Sequence, residues 1–212
     1  MIALIDYGAG NLHSVQNALR SVGCDDICIT GDKNILMQAD AAILPGVGSF
    51  GHAMKCLEDS DLVDAVKNFI ATDKPFLGIC LGLQMLFEES EESPNVKGIG
   101  VLKGKITKIP KEFGHDHKVP HMGWNSLIIK TEGTLYKDIP KEPYVYFVHS
   151  YYLTAQNPEI VTAQTSYGGI TFDVSVQHKN LMATQFHPEK SGDIGLSMLK
   201  NFVELANQKN ID

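Results

Sequence analysis

Pro75-Phe76-Leu77-Gly78-Ile79-Cys80-Leu81-Gly82-Leu83-Gln84 is the stretch on which fold and chemistry both turn. Its first half, Pro75 to Ile79, is a short apolar run bounded by a proline, the pattern of a buried strand. A helix is expected to begin at Gly82 and to reach Glu88. Between the two, Gly78 and Gly82 flank Cys80 at minus two and plus two. The result is G-x-C-x-G, the cysteine counterpart of the G-x-S-x-G elbow that presents a nucleophile. The glycines answer a steric need: the residue at the tip of so tight a turn is strained, and side chains two positions away on either side would collide. Unpaired N–H groups at the start of the helix favour a thiolate. The N–H of Leu81 points where an oxyanion would form. A cysteine alone reads as a small buried apolar residue; the flanking glycines at elbow spacing set this one apart.

Upstream of the elbow, short apolar runs alternate with helical patterns. Ile2 to Ile5, Ile27 to Thr30 and Ala41 to Leu44 read as strands, and Leu12 to Val22 and His52 to Ile70 as helices. The first helix carries Val15, Leu19 and Val22 on one face, the second Leu57, Val63, Val66, Phe69 and Ile70. This alternation indicates an α/β fold with a mostly parallel central sheet flanked by helices. Downstream the character changes. Val101 to Ile109, Ser126 to Ile129, Tyr144 to Tyr152, Ile160 to Thr165, Ile170 to Gln177 and Leu181 to Phe186 read as strands separated by turn residues, an antiparallel part at one side of the sheet. A last helix, Ile194 to Ala206, follows. No repeat or linker divides the chain, so residues 1–212 are read as one domain.

A thiolate that releases an amine needs an acid and base. Phe186-His187-Pro188-Glu189-Lys190-Ser191 stands out among the places where a histidine occurs. In an extended segment, residues two apart face the same side. Glu189 can then accept the second imidazole N–H of His187, fixing its tautomer as the third member of a triad does. H-P-E alone also fits a surface loop; joined to G-x-C-x-G it favours a Cys80, His187, Glu189 triad.

Other classes recede. The formal net charge is -7 and the basic residues are scattered, against nucleic acid. No apolar stretch approaches the roughly 20 residues that span a bilayer, and the N-terminus lacks a basic signal region, so a cytoplasmic location is expected. Four cysteines in 212 residues do not make a disulfide scaffold. Cys24 and Cys28 lack a second pair for zinc, and the His115-Asp116-His117…His121 stretch lacks a completing ligand, so no metal is expected. Gly8-Ala9-Gly10 lacks the third glycine of a dinucleotide fingerprint, since position 13 is His.

Gly78-Ile79-Cys80-Leu81-Gly82-Leu83-Gln84 and His187-Pro188-Glu189 resemble the signatures G-x-C-x-G-x-Q and H-P-E of the class I, or triad, glutamine amidotransferases. Asp6-Tyr7-Gly8-Ala9-Gly10-Asn11, Pro45-Gly46-Val47-Gly48-Ser49-Phe50, Val119-Pro120-His121-Met122-Gly123-Trp124-Asn125 and Tyr146-Phe147-Val148-His149-Ser150-Tyr151-Tyr152 are similar to the glutaminase subunits of imidazole glycerol phosphate synthases. Ser49 is a minor departure. The resemblance spans residues 6 to 191 and implies a flavodoxin-like sheet, glutamine hydrolysis without a cofactor, and a (β/α)8 synthase partner that takes the ammonia in histidine biosynthesis. It implies Val47 as a second oxyanion donor beside Leu81, with a peptide that turns when the partner binds its substrate. For glutamine it implies Gly48, Gln84 and the backbone of Ser150 and Tyr151. Glu92 is the candidate for the α-ammonium, against a reading of Ser90-Glu91-Glu92 as a solvated helix end. Ammonia must stay neutral and undiluted, so a docked interface that excludes water follows. Trp124, Tyr146 and Lys190 are its candidates, although composition alone leaves Trp124 open between core and interface. Two alternatives stand beside this reading: a paralogous glutaminase feeding another synthase, such as one for surface sugar amination, and a binding module on an inactive fold.

Overall fold

The first strand, β1 (Ile2–Ile5), buries both faces: Ala3 and Ile5 enter one apolar cluster, Ile2 and Leu4 another. A strand covered on both sides belongs at the centre of a parallel sheet. The computed structural model, which describes residues 1–111 and 118–208, places it there. β2 (Ile27–Thr30), β3 (Ala41–Gly46) and β4 (Phe76–Cys80) run parallel to it in the order β2-β1-β3-β4. On one face lies α1 (Leu12–Ser21), through Val15 and Leu19. The other face carries α2 (Lys33–Gln38), α3 (Phe50–Asp59), α4 (Val63–Ala71) and the short α5 (Leu81–Met85). α6 (Gly192–Gln208) returns to the first face, burying Met198, Leu199 and Phe202.

The second half extends the same sheet. Its strands are β5 (Glu89–Ser90), β6 (Gly104–Lys108), β7 (His121–Ser126), β8 (Ile128–Ile129), β9 (Tyr144–His149), β10 (Tyr151–Ala155), β11 (Val161–Tyr167), β12 (Ile170–His178) and β13 (Leu181–Thr184). β13 lies parallel to β4, and the antiparallel strands β12, β10 and β6 continue outward from it. β7 and β9 leave the main sheet and form an antiparallel pair of their own.

Two expectations need correction. The helix expected over His52 to Ile70 is two helices. α3 stops where Asp61 takes a left-handed φ of 55°, with Leu62 N–H on Leu57 O and Asp61 N–H on Glu58 O. That is a Schellman cap with Asp where glycine is usual, so composition does not announce it. The strand expected over Tyr144 to Tyr152 is also two. Val145, Phe147 and His149 are buried, as is Leu153 beyond the break, so the alternation stays in phase while the chain changes sheets at Ser150. Other elements went unforeseen, among them α2, capped by Asp32 Oδ1 on Asn34 N–H at 2.7 Å, the short β5, and β7, rich in polar residues and glycine. The His115-Asp116-His117 stretch lies outside the described residues.

Candidate active site

β3, β4 and β13 are adjacent and parallel, so their carboxyl ends open on one spot, where ligands bind in open α/β sheets. Cys80 ends β4 with φ 56° and ψ -107°, outside the ordinary range for a side-chain-bearing residue. The glycines beside it are there for space. A Cβ on Gly82 would lie 1.9 Å from Leu44 O, and one on Gly78 would lie 3.0 Å from the Gly82 backbone. Leu81 is the first residue of α5, so its N–H has no partner within the helix.

The loop after β3 is held at both ends. Tyr7 Oη donates to Pro45 O at 3.0 Å. At the far end Glu92 Oε2 accepts from Phe50 N–H at 2.7 Å and Ser93 Oγ from Gly51 N–H at 3.1 Å. Ser49, the N-cap of α3, makes no side-chain cap bond, so Glu92 and Ser93 supply the cap from outside the helix. Ser90-Glu91-Glu92 is therefore no solvated helix end: β5 closes at Ser90 and the next residues clamp α3. Between the clamps Val47, Gly48 and Ser49 are exposed, Gly48 with φ 96°.

His187 and Glu189 meet, but not in an extended segment. Pro188–Lys190 forms a 3-10 turn, and that turn brings His187 Nδ1 to 2.8 Å from Glu189 Oε1. Both side chains are almost completely buried. Burial pulls the His187 pKa down; the Cys80 sulfur and the Glu189 carboxylate outweigh it and push the value up to about 9. His187 Nε2 is buried without a well-formed hydrogen bond, so the sulfur acts on it across a contact looser than a formed bond. The turn is fastened to β9: His187 N–H donates to Tyr146 O at 3.0 Å, and Ser191 Oγ accepts from Tyr146 N–H at 3.0 Å while donating to His187 O at 2.6 Å.

Sequence reading missed two features. Gln185 is fully buried, and its Nε2 donates to Cys80 Sγ at 3.6 Å. Gln84 Nε2 donates to Gln185 Oε1 at 2.9 Å and to Tyr151 O at 3.3 Å. The only available signal was its place in the chain, two residues before His187 and just after β13. The second feature is a buried histidine pair. Burial pulls His149 down to about 3 and His121 to about 4, so both are neutral at neutral pH. The Tyr151 carbonyl only accepts, so His149 Nδ1, 2.9 Å away, is the donor. His149 Nε2 then accepts from His121 Nδ1 at 2.9 Å, and His121 Nε2 from Asn125 Nδ2 at 3.3 Å.

A cavity of about 320 Å³ opens over these groups. Cys80, His187, Leu81 and Val47 line it. So do Gly48, Gln84, Glu92, Ser150 and Tyr151, with Glu189 behind His187. Pro120 and Val148 carry its wall to the β7–β9 pair. On that pair Trp124 faces Tyr146 edge-on at 6.2 Å; Trp124 is 56% exposed, not core, and Lys190, at the end of the 3-10 turn after His187, is exposed. Among the described residues no cluster of ligating side chains could hold a metal, and no helix is long and apolar enough to cross a membrane.

Residues 3–205 match the family model for glutamine amidotransferase class-I. The chain is 50% identical over 205 residues to the imidazole glycerol phosphate synthase subunit HisH of Methanothermobacter thermautotrophicus, covering 97% of this chain and 98% of that one. It is 44% identical over 203 residues to the subunit of the same name from Aquifex aeolicus, covering 96% of each. A crystal structure described as a glutamine amidotransferase superposes with a TM-score of 0.74 over 98% of this chain and 100% of that one; at 21% identity it speaks for the fold alone. The chain belongs to the class I glutamine amidotransferases and, among them, to the HisH-type subunits of imidazole glycerol phosphate synthase.

Proposed function

We propose that this chain is a glutaminase subunit that works through Cys80, His187 and Glu189 and hands ammonia to a (β/α)8 synthase partner. The observation that carries the reading is the 2.8 Å His187–Glu189 pair, buried beside a cavity that the strained Cys80 also lines. The Cys80 sulfur attacks the side-chain carboxamide carbon of glutamine. N–H groups of Leu81 and Val47 receive the charge that builds on the carbonyl oxygen. His187, held protonated at neutral pH by its raised pKa, gives its proton to the departing nitrogen. Ammonia leaves and a glutamyl thioester remains. The now neutral imidazole takes a proton from water, the hydroxide adds to the thioester, the C–S bond breaks, and glutamate leaves. Glu189 keeps the ring oriented throughout.

Glutamine is held by Gly48, Gln84, Glu92 and the backbone of Ser150 and Tyr151. Glu92 has one carboxylate oxygen on Phe50 N–H, so contact with an α-ammonium would bear directly on the loop before α3. The partner docks over Trp124, Tyr146 and Lys190, next to the cavity wall formed by Pro120 and Val148. With that partner the products are imidazole glycerol phosphate and aminoimidazole carboxamide ribotide, in histidine biosynthesis. The reading treats residues 1–212 as one cytoplasmic domain and calls for no cofactor.

Cys80→Ala is the test. In the reconstituted synthase it should lower glutamine-dependent turnover by about a thousandfold or more. Turnover with added ammonia should remain. Loss of both activities, or survival of the glutamine-dependent one, would refute the division of labour.

A further inference from the structure

We propose that Gln185 is a further catalytic residue, whose side-chain amide donates a hydrogen bond to the Cys80 sulfur and favours its anionic form. The inference rests on Cys80 being the nucleophile. Its strength is that the orientation of the amide is dictated by its surroundings. A side-chain amide can be turned over, exchanging oxygen for nitrogen, and only its neighbours decide which way it lies. Here the deciding neighbour is the Tyr151 carbonyl, which accepts and cannot donate. The end of Gln84 that points at it, 3.3 Å away, must therefore be the NH2. The same NH2 lies 2.9 Å from Gln185, so the Gln185 atom facing it must be the oxygen. That leaves the NH2 of Gln185 facing Cys80 Sγ at 3.6 Å. On the other side of the Tyr151 carbonyl, His149 Nδ1–H donates at 2.9 Å, so that oxygen is itself held by two donors.

Gln185 is fully buried and lies outside the cavity lining, so it makes no claim on glutamine and water does not compete for its N–H. A donor aimed at sulfur in such a place stabilises the anion more than the thiol or the thioester. It matters twice in the reaction. It raises the share of sulfur ready to attack. When the thioester is hydrolysed, the C–S electron pair returns to sulfur, and the same N–H meets the returning charge.

Gln185→Met keeps the bulk and removes the donor. One charge-assisted hydrogen bond corresponds to about a tenfold change in the thiol–thiolate equilibrium constant. The anion that does form is about threefold more nucleophilic, because nucleophilicity rises with basicity. Alkylation of Cys80 by iodoacetamide should therefore be about threefold slower than wild type on the acid side of the thiol's titration and about threefold faster once both proteins are fully ionised, so the two pH profiles cross. With the synthase partner present, kcat should fall while KM for glutamine stays within about twofold. Parallel profiles, or a wild-type kcat, would overturn the proposal; packing alone produces no crossing. Should the variant not fold, wild-type protein answers the question by NMR: the Gln185 carboxamide protons should shift as Cys80 ionises, with no such step in Cys80→Ala. Absence of that step in wild type overturns the proposal. If Cys80→Ala keeps glutaminase activity, the nucleophile assignment falls first. If Cys80→Ala is inactive and the profiles do not cross, only the role of Gln185 falls.

Discussion

Cys80 occupies a backbone conformation that is tolerated because the residues around it have been reduced to hydrogens. The constraint is tightest at Gly82, where an added Cβ would come within 1.9 Å of Leu44 O, a main-chain atom of the neighbouring strand that has nowhere to go. Gly82→Ala is expected to cost about 3 kcal/mol or more, read as a lowered midpoint in urea unfolding, and to remove activity with it. The elbow was legible in the sequence because sterics of this kind leave no alternative to glycine. Gln185 was not, because nothing in its own identity separates a buried amide that touches sulfur from one that merely satisfies a neighbour. Its role comes from a carbonyl thirty-four positions upstream, that of Tyr151.

The histidine pair linking β7 to β9 contributes to the pH dependence of stability in acid. A ring kept neutral in the fold takes up protons more readily once unfolded. The stability conferred by His149 and His121 is therefore complete above the ordinary value of 6.5 and is lost progressively as pH falls from there through 4 toward 3. His187 runs the other way: its contribution is present below 6.5 and fades as pH rises through about 9. For His149 the acid loss is on the order of a few kcal/mol. His149→Asn keeps a donor for the Tyr151 carbonyl but cannot ionise. Its unfolding free energy should be lower than wild type at pH 7 and should decline less steeply to pH 4.5, as denaturant titrations at several pH values would show. This element also marks where periodicity stopped being informative. The central strands declare themselves by continuous apolar runs. Alternation through Tyr144 to Tyr152 carries no mark of the switch between sheets at Ser150, because the buried side chains stay in phase across it. The cap at Asp61 was hidden for a related reason, a left-handed position filled by a residue other than glycine.

Seen whole, the molecule exposes Met122, Trp124 and Tyr144 on the outer side of the β7–β9 pair, a cluster of large apolar side chains beside the cavity wall. Apolar patches of this kind mark docking surfaces. Trp124→Ala should weaken binding of the synthase partner by about 2 kcal/mol, measured by calorimetric titration, with little change in the melting temperature of the isolated chain. The loop that also lines this cavity bears on how such docking would be felt. Val47, Gly48 and Ser49 hang between a tyrosine hydroxyl at one bank and a carboxylate at the other, like a plank nailed at both ends. A plank so fixed can roll and cannot slide. Were Val47 to turn its peptide to serve as the proposed oxyanion donor, the enzyme would answer its partner as a toggle, changing how many molecules are switched on and not how hard each one works.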